Sequence, residues 1–215
     1  MQVGICLKTS FEWRHKILAA IRALEGGISF SGIVEADELL MKYSEKGRKF
    51  KNKEEYQRAK KKKHPKVAVL VVTDREGNIL FKQVGEKKVK NEQFREELKK
   101  RLSENNLICV KPKKEFRKAV KSLQSKKVIV NKRQIKRGIY SVKIVENKIS
   151  DFKTWLSRFH GVATKYLQSY LMWFVIMNKY LKELIDSDIG RLLNLSSHDR
   201  WAWDKYREIV SKRYE

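Results

Sequence analysis

The sequence predicts an α/β fold built on one mixed β-sheet, with flanking helices and a helical C-terminal third. Three observations predict it. Residues 28–85 contain three apolar segments of strand length, and a short turn separates the last two. Residues 91–131 then alternate helical and strand patterns, which is typical of parallel strands. Residues 145–215 show helical patterns only.

The first predicted element is a short basic helix near the N-terminus. In FEWRHKILAAIRALEGG, the apolar residues Trp13, Ile17 and Ile21 recur at helical spacing, with Thr9 as the expected N-cap. The pattern ends at Gly26-Gly27, as a helix terminus should. Such a helix is similar to the second half of a helix-turn-helix, although an ordinary amphipathic helix explains it equally well.

The sheet is predicted to begin at SGIVEADELLM, a strand that carries the acids Glu35, Asp37 and Glu38. Residues 42–65 are so polar and lysine-rich that we expect a long, mobile, positively charged loop. KVAVLVVTD and ILFKQVG then read as a hairpin joined by REGN.

A helix (NEQFREELKKRLSEN), a strand (NLICV), a helix (KKEFRKAVKSLQ) and a strand (KVIVN) follow the hairpin. This order of elements is the one expected of an RNase H-like fold. We therefore expect a helix-turn-helix remnant at residues 1–27, an RNase H-like domain at residues 28–178 and a C-terminal helical extension at residues 179–215.

The charge of the chain indicates a polyanionic partner. Fifty Lys and Arg residues oppose 25 Asp and Glu residues, which leaves a formal net charge of +25. Such a charge repels itself in a compact chain and is relieved by a polyanion. Nucleic acid is the first candidate and an anionic membrane surface the second, but the longest apolar run, YLMWFVIM, is too short to span a bilayer. We expect double-stranded DNA as the partner and no membrane association.

The cysteine content excludes a disulfide framework and a zinc site. Cys6 and Cys109 are too few and too far apart for either, and the N-terminus has no apolar signal region. We expect a cytoplasmic, nucleoid-associated protein.

The acids of the predicted sheet indicate a possible metal site. An RNase H-like enzyme that cuts and joins DNA needs carboxylates on the first strand, at the end of the strand after the first helix, and on a later helix. These carboxylates hold Mg²⁺ or Mn²⁺ ions that activate the attacking oxygen and stabilise the leaving oxygen. Asp37 meets the first requirement, and Glu146, near the start of a predicted helix, can meet the third.

Several segments carry a resemblance to a known family. GIVEADE, SEKGR, LSRFHGVATKYLQSYLMWF and TSFEWRHKIL resemble the small bacterial and archaeal insertion-sequence transposases with an ISXO-type DDE domain. The resemblance implies DNA transposition and recombination as the activity and Mg²⁺ or Mn²⁺ as the cofactor. It also implies that Asp37 is the first catalytic acid and that Glu146, seven residues before Lys153, is the third, with both as metal ligands. Transposases of this kind commonly act as multimers, so a homo-oligomer is a further expectation.

The chain departs from the family pattern in two places. Family members usually begin with a zinc ribbon and a complete helix-turn-helix, and neither is found before residue 28. The second catalytic Asp belongs at the end of the fourth strand, where this sequence has Lys111. A lysine near two carboxylates attracts each strongly and competes with a metal ion for the same space. We therefore expect cleavage and strand transfer to be impaired.

Two alternatives stay open at the level of sequence. In the first, the chain is an active metal-dependent transposase in which Glu115, one helical turn beyond Lys111, replaces the missing Asp. In the second, it is a non-catalytic DNA-binding regulator or architectural protein. Asp74 is expected to serve the hairpin turn. It should therefore lie at the wrong end of the sheet to replace the missing Asp.

DNA binding does not depend on the missing acid, because basic residues lie on several elements, among them residues 111–127. These contacts would neutralise phosphates and carry little sequence information. The residues predicted to contact DNA are Arg14, His15, Lys16, Arg48, Lys49, Lys60, Lys61, Lys62, Lys63, Lys132, Arg133, Arg137, Lys153 and Lys165.

Overall fold

The structure, a computed structural model, describes residues 4–123, 126–129, 136–137, 139–180 and 200–211. Their contacts divide the chain into two compact units. The larger unit comprises residues 28–164, and the smaller combines the N-terminal 27 residues with residues that follow Thr164. The predicted boundary at residue 178 stays a prediction, although the helix after Thr164 groups with the N-terminal helix by its contacts.

A five-stranded sheet forms the centre of the larger unit. Its strands are β1 (Ile33–Met41), β2 (Val67–Asp74), β3 (Ile79–Glu86), β4 (Leu107–Val110) and β5 (Lys126–Ile129). The strand order is β3-β2-β1-β4-β5. β1 pairs antiparallel with β2, and β2 with β3, while β1 pairs parallel with β4, and β4 with β5. The succession of elements along the chain, with an antiparallel start and a parallel continuation, is the one that the sequence predicts, so the mixed α/β sheet with flanking helices is confirmed.

The helices and a small ribbon complete the two units. The helices are α1 (Leu7–Ile21), α2 (Lys53–Lys61), α3 (Asn91–Lys99), α4 (Lys114–Lys121), α5 (Lys143–Ser157), α6 (Leu167–Tyr180) and α7 (Arg200–Ser211), with 3-10 turns at Arg22–Gly27 and Thr164–Tyr166. The ribbon pairs β6 (Lys136–Arg137) with β7 (Tyr140–Ser141). Within the part of the chain that is described, no helix is both long and apolar enough to cross a lipid bilayer.

The core of the larger unit lies between the sheet and its helices. β2 is buried at every position, which explains its almost continuous apolar sequence. α5 packs against β1 and β2, and the Phe152 ring lies 5.1 Å from the ring of Phe81 on β3. α3 and α4 pack together through Phe94 and Phe116, whose ring centroids are 4.9 Å apart.

The smaller unit brings α1 together with α6 and α7. Gln168 on α6 donates a hydrogen bond of 3.2 Å to the buried Glu25 carboxylate. α1 begins at Leu7, so the prediction of Thr9 as the N-cap was wrong. The position before the helix is Cys6, whose side chain makes no cap hydrogen bond and instead contacts the Thr9 hydroxyl at 3.2 Å.

Candidate functional site

The sheet places Asp37 beside the residue that follows β4. Glu35 on β1 pairs with Cys109 on β4, and Ala36 pairs with Val110, in parallel register. One step beyond these pairs, Asp37 and Lys111 therefore meet where β4 ends. Glu35 and Asp37 lie two residues apart on β1 and so point to the same face of the sheet.

Lys111 joins the two predicted catalytic acids through a single ammonium group. Its Nζ lies 2.5 Å from Asp37 Oδ2 and 2.6 Å from Glu146 Oε1. The Asp37 side chain is only 5% exposed, whereas those of Lys111 and Glu146 are 27% and 35% exposed. The structure thus brings Asp37 and Glu146 together, with a cation between them.

The Lys111 side chain keeps its positive charge at neutral pH. Partial burial, the largest single influence, acts to lower the pKa of Lys111, but the hydrogen bonds to Asp37 and Glu146 outweigh it and raise the pKa above its ordinary value. Lys111 is therefore fully protonated at neutral pH. It acts as a fixed positive charge and not as a base.

A second lysine, which the sequence analysis missed, completes the cluster. The Nζ of Lys113 lies 3.2 Å from Asp37 Oδ1 and 3.2 Å from Glu38 Oε2. Both carboxylate oxygens of Asp37 therefore accept hydrogen bonds from ammonium groups. The available signal was the sequence Lys111-Pro112-Lys113, which repeats a cation two residues after the position of the missing acid. We refer to Asp37, Glu38, Lys111, Lys113 and Glu146 as the Asp37 cluster.

Glu35 positions the helix that carries Glu146, a role that the sequence analysis also missed. Its fully buried carboxylate accepts hydrogen bonds from the Ser141 hydroxyl at 2.8 Å, from Ile144 N at 2.8 Å and from Val145 N at 3.1 Å. Val142 precedes α5 and supplies no side-chain cap, so Glu35 caps the helix from the sheet. Glu146 is the next residue along α5.

The other acids considered in the sequence lie in different settings. Glu115 on α4 forms an ion pair with Lys88, whose hydrogen bond lowers the pKa of Glu115. Asp74 lies opposite Val34 in the sheet and accepts hydrogen bonds from Ser31 N at 3.1 Å and from Asn78 N at 2.8 Å. Its role in the hairpin turn is therefore confirmed.

The ligand set of the Asp37 cluster does not match a two-metal centre. Divalent metal ions of the Mg²⁺ class prefer several carboxylate or carbonyl oxygens around one position. Here the position between Asp37 and Glu146 holds an ammonium group, and Lys113 engages the second oxygen of Asp37. Among the residues that the structure describes, no group of three or more His, Cys, Asp or Glu side chains is arranged to hold a metal ion.

The basic segment at residues 42–65 is not a loop throughout, which corrects the prediction. It contains α2, because the side chain of Asn52 accepts a 2.8 Å hydrogen bond from Glu55 N and caps the helix. Arg48 holds the start of the segment through Glu45 at 2.8 Å and Glu55 at 3.0 Å. The predicted DNA contacts that are exposed in this segment are Lys49, Lys60, Lys61, Lys62 and Lys63.

This segment is attached to the end of α5. The Nζ of Lys46 donates to the carbonyl oxygens of Phe159, His160 and Gly161 at 3.0, 3.1 and 3.0 Å. Ser44 N donates to Thr164 Oγ1 at 2.8 Å, and Thr164 N donates to Ser44 O at 2.8 Å. The SEKGR and HGVAT sequences are thus in direct contact, through residues that are 114 to 120 positions apart in the chain.

His15 does not lie where the DNA-binding prediction requires. Its side chain is buried between aromatic rings, with centroids 4.3 Å from Phe11 and 4.0 Å from Tyr166. Burial, and then the nearby charges of Arg14 and Lys165, lower the pKa of His15 to about 4, so it is neutral at pH 7. His15 is therefore not available to neutralise a phosphate, and that prediction was wrong.

The other predicted DNA contacts lie in varied surroundings. Arg14 and Lys16 on α1 are half-buried, and they lie over the rings of Phe11 and Tyr206 at 5.5 and 5.9 Å. Lys165 is also half-buried, and burial lowers its pKa. Lys153 is exposed on α5. Lys132 and Arg133 lie outside the described residues, and Arg137 is described only as part of β6.

Comparisons with known proteins identify the family. No curated protein matches the chain. Two solved structures are remotely similar: a pre-cleavage Mos1 transpososome (14% identity, TM-score 0.37) and the Mos1 mariner paired end complex with Mn (14% identity, TM-score 0.29). Each similarity covers 100% of this chain and 68% of the other. The ISXO2-like transposase domain family matches residues 29–176, more than half of the sequence. This chain therefore belongs to the ISXO2-like transposase domain family.

Proposed function

We propose that this chain is a DNA-binding, transposition-related protein in which DNA cleavage and strand transfer are impaired. One observation carries the proposal: the Lys111 ammonium lies within 2.6 Å of both Asp37 and Glu146. In a two-metal mechanism the metal ions between the acids activate the attacking oxygen and stabilise the leaving oxygen. An ammonium group supplies neither a coordination position nor a water of lowered pKa.

The same cluster explains how the domain keeps its shape without a metal. The Asp37 carboxylate is almost fully buried and would be costly to leave unpaired. Lys111 and Lys113 neutralise it from the segment between β4 and α4, and Lys111 also reaches Glu146 on α5. The two lysines thus neutralise the buried acid, as a bound metal cation would.

The Glu115 alternative has no observation in its favour. The Glu115 carboxylate is held by Lys88, and Lys111 occupies the position between the two other acids. The proposed role is therefore closer to the non-catalytic alternative, a protein that binds DNA without cutting it. We also propose a location in the cytoplasm on the nucleoid, and self-association as a homo-oligomer, which sedimentation at several protein concentrations would test.

A nicking experiment tests the impairment. Supercoiled plasmid is incubated with Mg²⁺ or Mn²⁺ and with the parent chain, Lys111→Asp, or Lys111→Asp combined with Asp37→Asn. We expect nicking only with Lys111→Asp, because that substitution removes the cation and restores the second acid of the family pattern. The control Lys99→Asp makes the same charge change at an exposed position of α3 and should leave the plasmid intact.

One result would contradict the proposal of impaired catalysis. If the parent chain nicks DNA in a metal-dependent manner, and if Asp37→Asn removes that activity, the proposal of impaired catalysis is wrong. Calorimetric titration with Mn²⁺ gives a readout that is independent of DNA cleavage: Lys111→Asp should bind the ion more tightly than the parent.

DNA binding is tested separately by its dependence on salt. If six to ten phosphates are contacted, affinity for a duplex should fall roughly 10³- to 10⁵-fold between about 50 and 200 mM salt. Fluorescence anisotropy with a labelled duplex measures this change. Absence of binding to duplex DNA at the lowest salt concentration would rule out the DNA-binding part of the proposal.

A further inference from the structure

The exposed side of α4 is a uniformly positive surface. Its basic residues recur at positions i, i+3, i+4 and i+7 of the helix, so they share one face. These residues, called here the α4 face, are Lys114, Arg117, Lys118 and Lys121, and all four are exposed. The opposite side of the helix is buried through Phe116, Ala119 and Val120.

Shallow grooves accompany this face. Lys114, Arg117, Lys118 and Lys121 line one of them together with Pro112. Lys114 and Lys118 also line a neighbouring groove, which includes Lys88 and Lys90 from the segment before α3. The acids of that second groove are Glu92 and Glu115, and Glu115 is paired with Lys88. The surface therefore offers concave positions in which cations outnumber acids.

The neighbouring helix shows that this pattern is not the general state of the protein surface. α3 packs against α4, yet its exposed residues alternate in sign, with Glu92 and Glu96 among Arg95 and Lys99. α2 likewise combines Glu54 with Arg58 and has acids in its first turn. A lysine-rich composition alone would give α4 a similar mixture, but all four residues of its exposed face are cations.

The α4 face has an unfavourable energy in the absence of an anion. Like charges three and four residues apart on a helix destabilise it. Within the described part of the chain, none of the four residues forms a salt bridge. The one acid of α4, Glu115, interacts with Lys114 but is paired with Lys88, so most of the repulsion is not relieved internally. A bound polyanion would relieve this repulsion, and the relief would favour binding of phosphates to this surface.

The α4 face begins at the Asp37 cluster. Lys113, which contacts Asp37 and Glu38, is the residue immediately before Lys114. At about 1.5 Å per helical residue, Lys114 and Lys121 are roughly 10 Å apart along the axis. With phosphates about 3.4 Å apart along the axis of one DNA strand, this length corresponds to about three of them.

We propose that the α4 face, which begins beside the Asp37 cluster, binds the phosphate backbone of duplex DNA. The inference rests on the proposed function, since it requires that the chain binds DNA. It adds a specific surface to that function and commits to contacts with the backbone, without reading of the base sequence.

Two variants of equal charge change test the surface. The first is Arg117→Gln/Lys118→Gln/Lys121→Gln on the α4 face, and the second is Arg95→Gln/Lys99→Gln/Lys100→Gln on α3 and at its C-cap. Each removes one Arg and two Lys from exposed positions, and Gln is a good helix former. The full chain is used, and its affinity for a random duplex is measured at several salt concentrations. Circular dichroism confirms that both variants are folded.

The slope of log affinity against log salt is negative, and we expect the α4 variant to reduce its magnitude by about 2–3, at roughly 0.9 for each lost phosphate contact. The α3 variant should change it by less than about 1. If the two variants lose the same amount, general charge explains the binding and the α4 face is not a site. A loss seen with double-stranded RNA but not with DNA would also overturn the proposal. Failure of the parent chain to bind any duplex would instead refute the proposed function itself.

Discussion

At the scale of single residues, Lys111 decides what the Asp37 cluster can do. It stands where the resemblance to the family predicts an acid, and its ammonium contacts both Asp37 and Glu146. In this geometry the acids and lysines of the cluster form an internal network of ion pairs. The stability that Lys111 contributes can be measured without any assay of activity.

Lys111→Met should lower the free energy of unfolding by about 1–2 kcal/mol at pH 7, because it leaves Glu146 and part of Asp37 without a cation. The pKa of Lys111 is raised in the folded state, so this contribution is fully present below pH 10.5 and is lost as the pH rises through the folded pKa. Urea denaturation at pH 7 and near pH 11 measures the difference. Lys118→Met, at an exposed position, serves as the control; an equal loss in both variants would contradict the prediction.

His15 gives a second prediction, in which stability is lost as the pH falls and not as it rises. Its pKa falls from an ordinary value of 6.5 to about 4 in the folded chain, so the unfolded chain takes up a proton first as the pH decreases. Stability should therefore decline between pH 6.5 and 4. His15→Phe keeps an aromatic ring against Phe11 and Tyr166 and should remove that part of the decline. Parallel curves for parent and variant between pH 4 and 7 would show that His15 is not the group responsible.

At the scale of elements, α5 is fixed at both ends by side chains from other segments. Glu35 on β1 accepts hydrogen bonds from the first backbone amides of the helix, where negative charge is favourable. The Lys46 ammonium binds three carbonyls beyond its C-terminal end, where positive charge is favourable. The position of Glu146 therefore depends on residues that are distant in sequence.

Lys46→Met should destabilise the chain by about 1 kcal/mol, because it removes the cation that satisfies the carbonyls of residues 159–161. Hydrogen exchange should become faster at the C-terminal turn of α5 and in residues 44–46. Lys42→Met, an exposed lysine of the same segment, should change neither quantity. If the two variants behave alike, Lys46 is an ordinary surface lysine.

Asn52→Ala tests the unexpected helix in the basic segment. The side chain of Asn52 caps α2, and replacing such a cap with Ala costs about 1 kcal/mol. We expect faster proteolysis within residues 53–61 while the sheet stays intact. Asn91→Ala, at the first residue of α3 and not at a cap position, is the comparison. Unchanged proteolysis in Asn52→Ala would mean that the cap does not hold the segment.

At the scale of the whole molecule, the net charge of +25 limits stability in dilute buffer. Raising the NaCl concentration from about 20 to 300 mM shortens the screening length and should raise the melting temperature. Differential scanning calorimetry measures it. The variant Arg117→Gln/Lys118→Gln/Lys121→Gln should show a smaller increase, since part of the repulsion is already removed. A melting temperature that is independent of salt would contradict this account.

The sequence by itself determined the order of strands and helices along the chain, while the expectation that Asp37 and Glu146 share a site came from the resemblance to the transposase family. The sequence could determine that order because the strand pattern of residues 67–86 and the alternation of helix and strand after residue 91 depend on local periodicity. The absence of an acid at position 111 was also visible, because it is a property of the residue and not of the fold.

Tertiary structure alone decided the roles of Glu35, Lys113 and Lys46. Each acts on a partner at least 75 residues away, through a strand register or a helix end that no local pattern encodes. The tertiary structure also excluded His15 as a DNA contact, since the rings that bury it come partly from Tyr166 and Tyr170. Local periodicity tells which residues are apolar or charged, but the burial and pairing of a charge depend on what the fold brings to it.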